Sequence, residues 1–158
     1  MSIRITDTAF DVAAETAALS RGRTDIGAVV AFSGICRDSE DGERIASLTL
    51  EHYPGMAEAE IARHVEEAKS HWPLLGVRVV HRVGRVEPGE TIVLVAVASK
   101  HRRAAFEAAE FLMDYLKSRA PFWKMVEGTE GKSWVDAQDK DDDDAKRWRK
   151  TSTRDAAE

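Results

Sequence analysis

The sequence predicts a single α+β domain. Its 158 residues fall within the roughly 100–200 residues that one domain occupies. Strand-like and helix-like segments follow one another without the regular alternation of a doubly wound parallel sheet, which favours an α+β arrangement. Hydrophobic residues make up 43% and charged residues 32%, a balance typical of a globular chain and too apolar for a disordered one. We expect the domain to cover residues 1–150 and a disordered tail to cover residues 151–158.

The first elements are a short strand, a short helix and a buried strand. Residues 3–6 predict the short strand, and residues 10–19 predict a helix for which Asp7 or Thr8 can provide the N-cap. The apolar, β-branched segment 27–36 then predicts a buried strand.

A polar loop joins this strand to an amphipathic one. Residues 38–43 are mostly charged and predict a loop, whereas residues 45–53 predict a strand with one solvated face. Apolar and polar residues alternate in that strand: Ala46, Leu48 and Leu50 with Ser47, Thr49 and Glu51.

Two long helices are separated by a pair of strands. Apolar residues at three- and four-residue intervals predict an amphipathic helix over residues 57–72, which Pro73 ends. Residues 77–80 and 91–98 predict two strands joined by a turn at 87–90.

The second long helix comes next, and short strands follow it. Ser99 can cap this helix, and Pro121 forces extended geometry after it. The apolar face of the helix carries Ala105, Ala109, Leu112, Met113 and Leu116. Residues 122–127 and 133–135 predict strands, and residues 141–150 predict a helix or a loosely held segment.

The composition argues against several classes of function. The net charge of -5 disfavours a general nucleic-acid surface, because duplex binding relies on clustered cations. No apolar run approaches the roughly 20 residues that span a bilayer, and the first residues lack the layout of a signal peptide, so we expect a soluble, cytoplasmic protein. The single cysteine, Cys36, can form neither an internal disulfide nor a zinc site, and the histidines lack metal-ligand spacing. We therefore expect no metal and no resident cofactor.

The strongest candidate for chemistry is the segment 114–124. Lys117 lies in the last turn of the predicted helix, Pro121 ends that helix, and Lys124 lies on the next extended segment. Both amines can therefore converge on one pocket. The alternative is that Lys117 only complements the helix dipole and that Lys124 is a solvated strand residue.

Other cations can hold an anion. His101 and Arg102 lie at a predicted helix N-terminus, where free N–H groups favour phosphate or carboxylate, although exposed arginines are common there. Arg37 can present its guanidinium to an anion at the end of a strand, and a surface ion pair explains it as well. Cys36 is better explained as a small buried residue than as a nucleophile, because no histidine is adjacent to it in sequence.

Several stretches form a pattern over nearly the whole chain. They are residues 32–37 (FSGICR), 50–56 (LEHYPGM), 81–84 (HRVG), Ser99 with His101 and Arg102, Ala105 with Phe106, and residues 114–124. In this order and spacing, they resemble the molybdopterin synthase catalytic subunit family. The resemblance implies a hammerhead-type α+β fold with a mixed sheet and two long helices, which forms a homodimer.

The resemblance also implies a reaction and its partners. Sulfur would pass from the C-terminal Gly-Gly thiocarboxylate of a small ubiquitin-like carrier subunit to cyclic pyranopterin monophosphate. Two deliveries form the molybdopterin dithiolene. One carrier on each protomer of the homodimer makes a heterotetramer.

The same resemblance assigns roles to the candidate residues. Lys117 would be the chief catalytic residue and Lys124 its helper. Arg37, with the backbone at Ile35 and Cys36, would hold the substrate.

The remaining substrate-binding positions lie further along the chain. His101 and Arg102 would act from the other protomer. The family pattern has a basic and then an acidic residue after the second lysine, whereas Met125 and Val126 follow it here. We expect these two positions to contact the substrate through their backbone.

Two other functions stay open at this point. A cationic cleft could dock the Gly-Gly tail of a ubiquitin-like protein as a non-catalytic adaptor. The same cations could bind a small phosphate ligand in a dimer that needs no protein partner. The two lysines at their spacing favour the enzyme.

Overall fold

The computed structural model describes residues 2–119, 121–128, 131–135, 146 and 148. In this part of the chain the strands are β1 (Ser2–Thr6), β2 (Ala28–Ile35), β3 (Ser39–Glu40), β4 (Glu43–His52), β5 (Leu74–Arg82), β6 (Gly84–Val86), β7 (Thr91–Ser99), β8 (Phe122–Gly128) and β9 (Gly131–Val135). The helices are α1 (Val12–Ser20), α2 (Met56–His71) and α3 (Arg102–Ser118). The predicted α+β class is confirmed.

The first sheet has the strand order β1-β5-β7-β2. Strands β1 and β5 are parallel, and the other pairs are antiparallel. Its two central strands, β5 and β7, are mostly buried and therefore apolar on both faces. Helices α2 and α3 cover one face and bury the largest core cluster, to which Val65, Val95 and Phe111 belong. The segment around α1 covers the other face, where Leu94 and Ala96 are buried.

The second sheet has the strand order β3-β4-β8-β9, and β6 also pairs with β4. One of its faces packs on a small core of Cys36, Leu48, Leu50 and Val86. Because Cys36 directly follows β2 of the first sheet, this core joins the two sheets at the end of β2.

Helix boundaries agree with the sequence, but the predicted caps were wrong. Asp11 caps α1, because its Oδ1 accepts from the N–H of Ala14 at 3.1 Å, so neither Asp7 nor Thr8 has this role. Ser99 does not cap α3 either: its hydroxyl donates to the carbonyl of His101. His101 is the N-cap and makes no capping hydrogen bond through its side chain.

Four strand predictions are also corrected. Strand β2 is not buried, because it is an edge strand of the first sheet, with Phe32 41% exposed and Ile35 56% exposed. Ser47, predicted on the solvated face of β4, is buried and donates to Glu127 Oε2 at 3.1 Å, because the register with β8 shifts after Ile45. The predicted loop contains β3, and β6 was not predicted at all.

Only two residues of the predicted C-terminal segment are described. Lys146 and Trp148 are both helical. The indole of Trp148 packs against Trp72 and Phe111, and its Nε1 donates to Asp114 Oδ2 at 2.6 Å. The aspartate run at 141–144 and the predicted tail at 151–158 lie outside the described residues.

Candidate functional site

Lys117 lies in the last turn of α3, where the sequence placed it, and it is exposed. It lies close enough to His81, at the end of β5, to influence its ionisation. Burial is the main cause that lowers the pKa of His81 to about 4, and the charges of Lys117 and His52 lower it further. The ring of His81 stacks on Phe122 with centroids 4.0 Å apart. Lys117 therefore stands beside a buried, uncharged imidazole.

The hydrogen bond of His81 defines its tautomer. Its Nδ1 lies 2.7 Å from the carbonyl oxygen of Arg82, which can only accept, so Nδ1 carries the proton. The other nitrogen, Nε2, is then an acceptor at neutral pH.

Lys124 lies on β8 and is half-buried. Side chains alternate along a strand, so Lys124 shares a face with Phe122 and with Val126, which packs on the Cys36 core. Burial raises the pKa of the Cys36 thiol, and the charge of Lys124 is the largest influence that opposes this effect. The thiol of Cys36 therefore stays protonated near neutral pH, which argues against a nucleophilic role.

Phe122 connects the surroundings of the two lysines. Its ring stacks on His81, which the charge of Lys117 reaches. Lys124 follows two positions later on the same face of β8, about 7 Å along the strand. Lys117 is thus close to one side of the His81–Phe122 stack, and Lys124 lies between Phe122 and the Cys36 core on the same face of β8.

The Cys36–Arg37 loop borders this region. The N–H of Cys36 donates to the carbonyl of Glu90 at 2.9 Å, and the N–H of Gly89 donates to the carbonyl of Cys36 at 2.7 Å. The side chain of Arg37 is 71% exposed and has only a long ion pair with Glu40, at 3.6 Å, within the described chain. Its guanidinium is accessible to a ligand. Ile35, the residue before Cys36, is exposed as well.

His101 and Arg102 lie far from Lys117 of the same chain. Both are exposed at the start of α3, whereas Lys117 is in its last turn. A rise of 1.5 Å per residue puts Arg102 and Lys117 about 22 Å apart. One copy of the chain therefore does not bring these cations together.

Met125 and Val126 occupy opposite faces of β8. Val126 packs on the Cys36 core, and Met125 pairs with Trp134 of β9 on the outer face. At both positions β8 is paired with β4 and with β9. Their backbone groups are therefore engaged in the sheet, so the predicted backbone contact with the substrate would have to use the second lone pair of a carbonyl oxygen.

Two polar residues of the site were missed by the sequence reasoning. His81 and Arg82 belong to the HRVG stretch of the family pattern, but neither was predicted to be part of the site. Both are buried at the end of β5, with exposed fractions of 8% and 5%. The available signal was a His-Arg pair at the end of a mostly apolar strand. Among the described residues there is no group of three or more His, Cys, Asp or Glu side chains that could hold a metal ion, and no described helix is both long and apolar enough to span a bilayer.

Comparison with known proteins gives consistent matches over most of the chain. A family model described as MoaE protein matches residues 5–119. A molybdopterin synthase catalytic subunit from Mesorhizobium japonicum is 59% identical over 153 residues, which are 96% of this chain and 95% of the relative. Another from Rhizobium meliloti is 53% identical, covering 94% and 96% of the two chains. A solved structure, the molybdopterin biosynthesis MoaE protein from Burkholderia ambifaria, is 45% identical with a TM-score of 0.80, covering 93% of this chain and 97% of the other.

Proposed function

The chain belongs to the MoaE protein family, and we propose that it acts as the catalytic subunit of a molybdopterin synthase. It is an enzyme that transfers sulfur from the C-terminal thiocarboxylate of a small ubiquitin-like carrier to cyclic pyranopterin monophosphate. The observation that carries this proposal is that the charge of Lys117 reaches His81, which stacks on Phe122, while the charges of Lys124 and the exposed Arg37 both reach Cys36.

The charges of the site suit both reactants. The carrier tail and the pterin phosphate are anions, and a site with several cations can hold them together despite their repulsion. Lys117 is exposed and can reach the carrier's terminal acyl carbon, whereas Lys124 is half-buried beside Cys36 and stabilises negative charge deeper in the site. Arg37 can pair with the phosphate through two parallel hydrogen bonds.

A dimer completes this site in the proposal. His101 and Arg102 are about 22 Å from Lys117 in their own chain, so they serve a site only if a second protomer brings them there. The described chain also exposes large apolar side chains that protein partners can cover: Phe32, Ile35, Tyr53, Met56, Phe106, Trp123 and Trp134. We include in the proposal a homodimer with one carrier on each protomer.

We also propose that the fold is of the hammerhead type and that the protein is located in the cytoplasm. Helices α2 and α3, packed together on one face of the first sheet, correspond to the two long helices of the hammerhead-type fold. The cytoplasm suits a chain whose single cysteine, Cys36, is unpaired and buried, since no disulfide requires an oxidising compartment.

Reconstitution tests the function. The purified chain is mixed with thiocarboxylated carrier and cyclic pyranopterin monophosphate, and molybdopterin is measured. We expect product only with the thiocarboxylated carrier, and none with a carrier that ends in an ordinary carboxylate. Carrier binding without product would identify an adaptor, and pterin binding that ignores the carrier would identify a phosphate-ligand binder.

A further inference from the structure

We propose that Arg82 is a positioning residue that fixes the Cys36–Arg37 loop in place by way of Glu90. The inference rests on the proposed function, because it takes Arg37 as a residue that holds the pterin phosphate. It concerns a residue that does not reach the substrate region itself.

Arg82 is an unusual residue for its position. It ends the apolar strand β5 and is only 5% exposed. Its Nη1 donates to Glu90 Oε2 at 2.8 Å, and its Nη2 donates to the carbonyl of Arg85 at 3.2 Å. Its Nε is buried without a hydrogen-bond partner among the described residues. A buried, incompletely paired cation contributes little net stability, so its presence points to a positional role.

Glu90 joins Arg82 to the turn between β6 and β7. One carboxylate oxygen accepts from Arg82, and the other accepts from the N–H of Glu87 at 3.1 Å. The N–H of Glu90 donates to the carbonyl of Glu87 at 3.0 Å, which closes the turn. The hydrogen bond from Arg82 is the largest cause that lowers the pKa of Glu90, so the carboxylate stays ionised near neutral pH. The turn is therefore held from inside the protein.

The β6–β7 turn also holds the loop that carries Arg37. The carbonyl of Glu90 accepts from the N–H of Cys36, and Gly89 donates to the carbonyl of Cys36. Gly89 has φ +88°, a conformation that favours glycine, so the close approach of the turn to the Cys36 carbonyl depends on this residue. Both backbone polar groups of Cys36 are thus attached to the turn. The side chain of Arg37 is exposed and makes few contacts of its own among the described residues. The attachment of the Cys36 backbone therefore determines the position from which the Arg37 side chain extends.

The same turn contains a matched control. Arg85 and Glu87 form an ion pair at 3.5 Å, and both side chains are 60% exposed. Exposed pairs of this kind contribute little. Arg85→Gln therefore removes a cation on β6 and its ion pair with the turn but leaves the hydrogen bonds of the buried connection in place, because only the backbone carbonyl of Arg85 binds Arg82.

Steady-state kinetics with saturating carrier test the inference. We expect Arg82→Met and Glu90→Gln to raise the KM for cyclic pyranopterin monophosphate about tenfold or more, since a displacement near 1 Å is costly at a bidentate contact. The kcat should stay within about threefold of the parent, because the lysines are untouched. Arg82→Lys should recover part of the lost affinity, and Arg85→Gln should behave like the parent.

Hydrogen exchange supplies a readout that needs no activity. The amide of Cys36 should exchange faster in Arg82→Met and in Glu90→Gln than in Arg85→Gln. Unchanged KM and unchanged exchange in Glu90→Gln, whose side chain is partly exposed and whose fold is at less risk, would overturn the inference. So would a loss of kcat alone together with a lower melting temperature, which marks a purely structural role. If the parent chain makes no molybdopterin, the proposed function fails, and the exchange rates still decide whether Arg82 holds the loop.

Discussion

Lys117 and Lys124 differ in their surroundings, and this difference predicts separate roles. Lys117 is exposed next to the uncharged His81, so it can meet the incoming carrier tail beside a neutral imidazole that accepts a hydrogen bond. Lys124 is half-buried beside the Cys36 thiol, where a positive charge acts through a less polar medium. We therefore expect Lys117 to take part in proton transfer and Lys124 to stabilise charge.

Substitution of Lys117 separates charge from proton transfer. Lys117→Ala removes both, whereas Lys117→Arg keeps the charge on a bulkier group that stays protonated. We expect both variants to lose about 10²- to 10⁴-fold in the rate of molybdopterin formation. The rate is measured in single turnover with saturating thiocarboxylated carrier, and Lys69→Arg on the surface of α2 serves as the control. A Lys117→Arg rate within a few-fold of the parent would leave Lys117 only an electrostatic role.

The thiol of Cys36 should be dispensable for the reaction. Its pKa is raised by burial, and the sulfur that is transferred comes from the carrier. We expect Cys36→Ala to keep activity within about threefold of the parent and to lower the free energy of unfolding by about 1 kcal/mol, since a buried atom is lost. Turnover and urea unfolding are the measurements. Complete loss of turnover in a folded variant would show that the thiol takes part.

His81 should make stability depend on pH. Its pKa is about 4 in the folded chain, against 6.5 for an unperturbed imidazole, so the unfolded chain binds the proton first as the pH falls. The titration of His81 leaves the free energy of unfolding unchanged above about pH 6.5 and lowers it as the pH falls from about 6.5 to 4. Below about pH 4 its contribution no longer changes with pH. Between about pH 7.5 and 5 we expect a loss of about 2 kcal/mol that His81→Gln lacks. Equal losses in both proteins by urea unfolding would contradict this assignment.

The lysines were accessible to sequence reasoning, whereas the buried residues beside them were not. Pro121 ends the helix that carries Lys117, and a short stretch of sequence is enough to predict such a helix end. The importance of His81 and Arg82 depends on Phe122 and Glu90, which come from other parts of the chain. Burial of a polar residue is a tertiary property, so a single sequence does not reveal it.

At the scale of elements, periodicity and proline predicted the helices well, whereas they gave no prediction of the strand order. Helix α2 ends just before Pro73, and α3 ends before Pro121, as predicted. The edge position of β2 and the pairing of β6 with β4 depend on partners distant in sequence. The shifted register that buries Ser47 has the same origin.

Gly34 of β2 should be indispensable for the pairing of β2 with β7. A Cβ atom at this position would lie 2.8 Å from Cγ1 of Val93 on the neighbouring strand. We expect Gly34→Ala to lower the free energy of unfolding by about 1–3 kcal/mol, because overpacking displaces the strands. The shift should also impair the Arg37 loop that follows β2.

A double-mutant cycle checks the cause. Val93→Ala removes the clashing atom, so the double variant should lose less stability than the sum of the single variants. Thermal unfolding and pterin KM are measured for all four proteins. If the losses of stability are strictly additive, the contact with Val93 is not the reason why position 34 requires glycine.

At the scale of the whole molecule, each site should combine two protomers. We expect the chain to be a dimer without carrier at micromolar concentration, which light scattering measures. A purely monomeric species would contradict the shared site.

Mixed dimers test the sharing directly. If Lys117 and Arg102 of one site come from different protomers, a dimer of Lys117→Ala with Arg102→Ala has one intact site and one doubly altered site. Co-expression of the two inactive variants should therefore recover about a quarter of the parent activity, because about half of randomly paired dimers are mixed. Each variant expressed alone is the control. Absence of recovery would show that the two residues do not form one site across two protomers.

The length of α3 has a kinetic consequence. Because the helix of 17 residues separates the two groups of cations, a lone protomer can present either the lysines or the Arg102 end to one substrate molecule, and never both. If the site needs the proposed dimer, specific activity should fall on dilution as dimers dissociate, and the Kd of the dimer would be a threshold concentration for catalysis. A newly made chain at low abundance would capture pterin poorly until a second copy is present, so the output of the enzyme should rise more steeply than its amount.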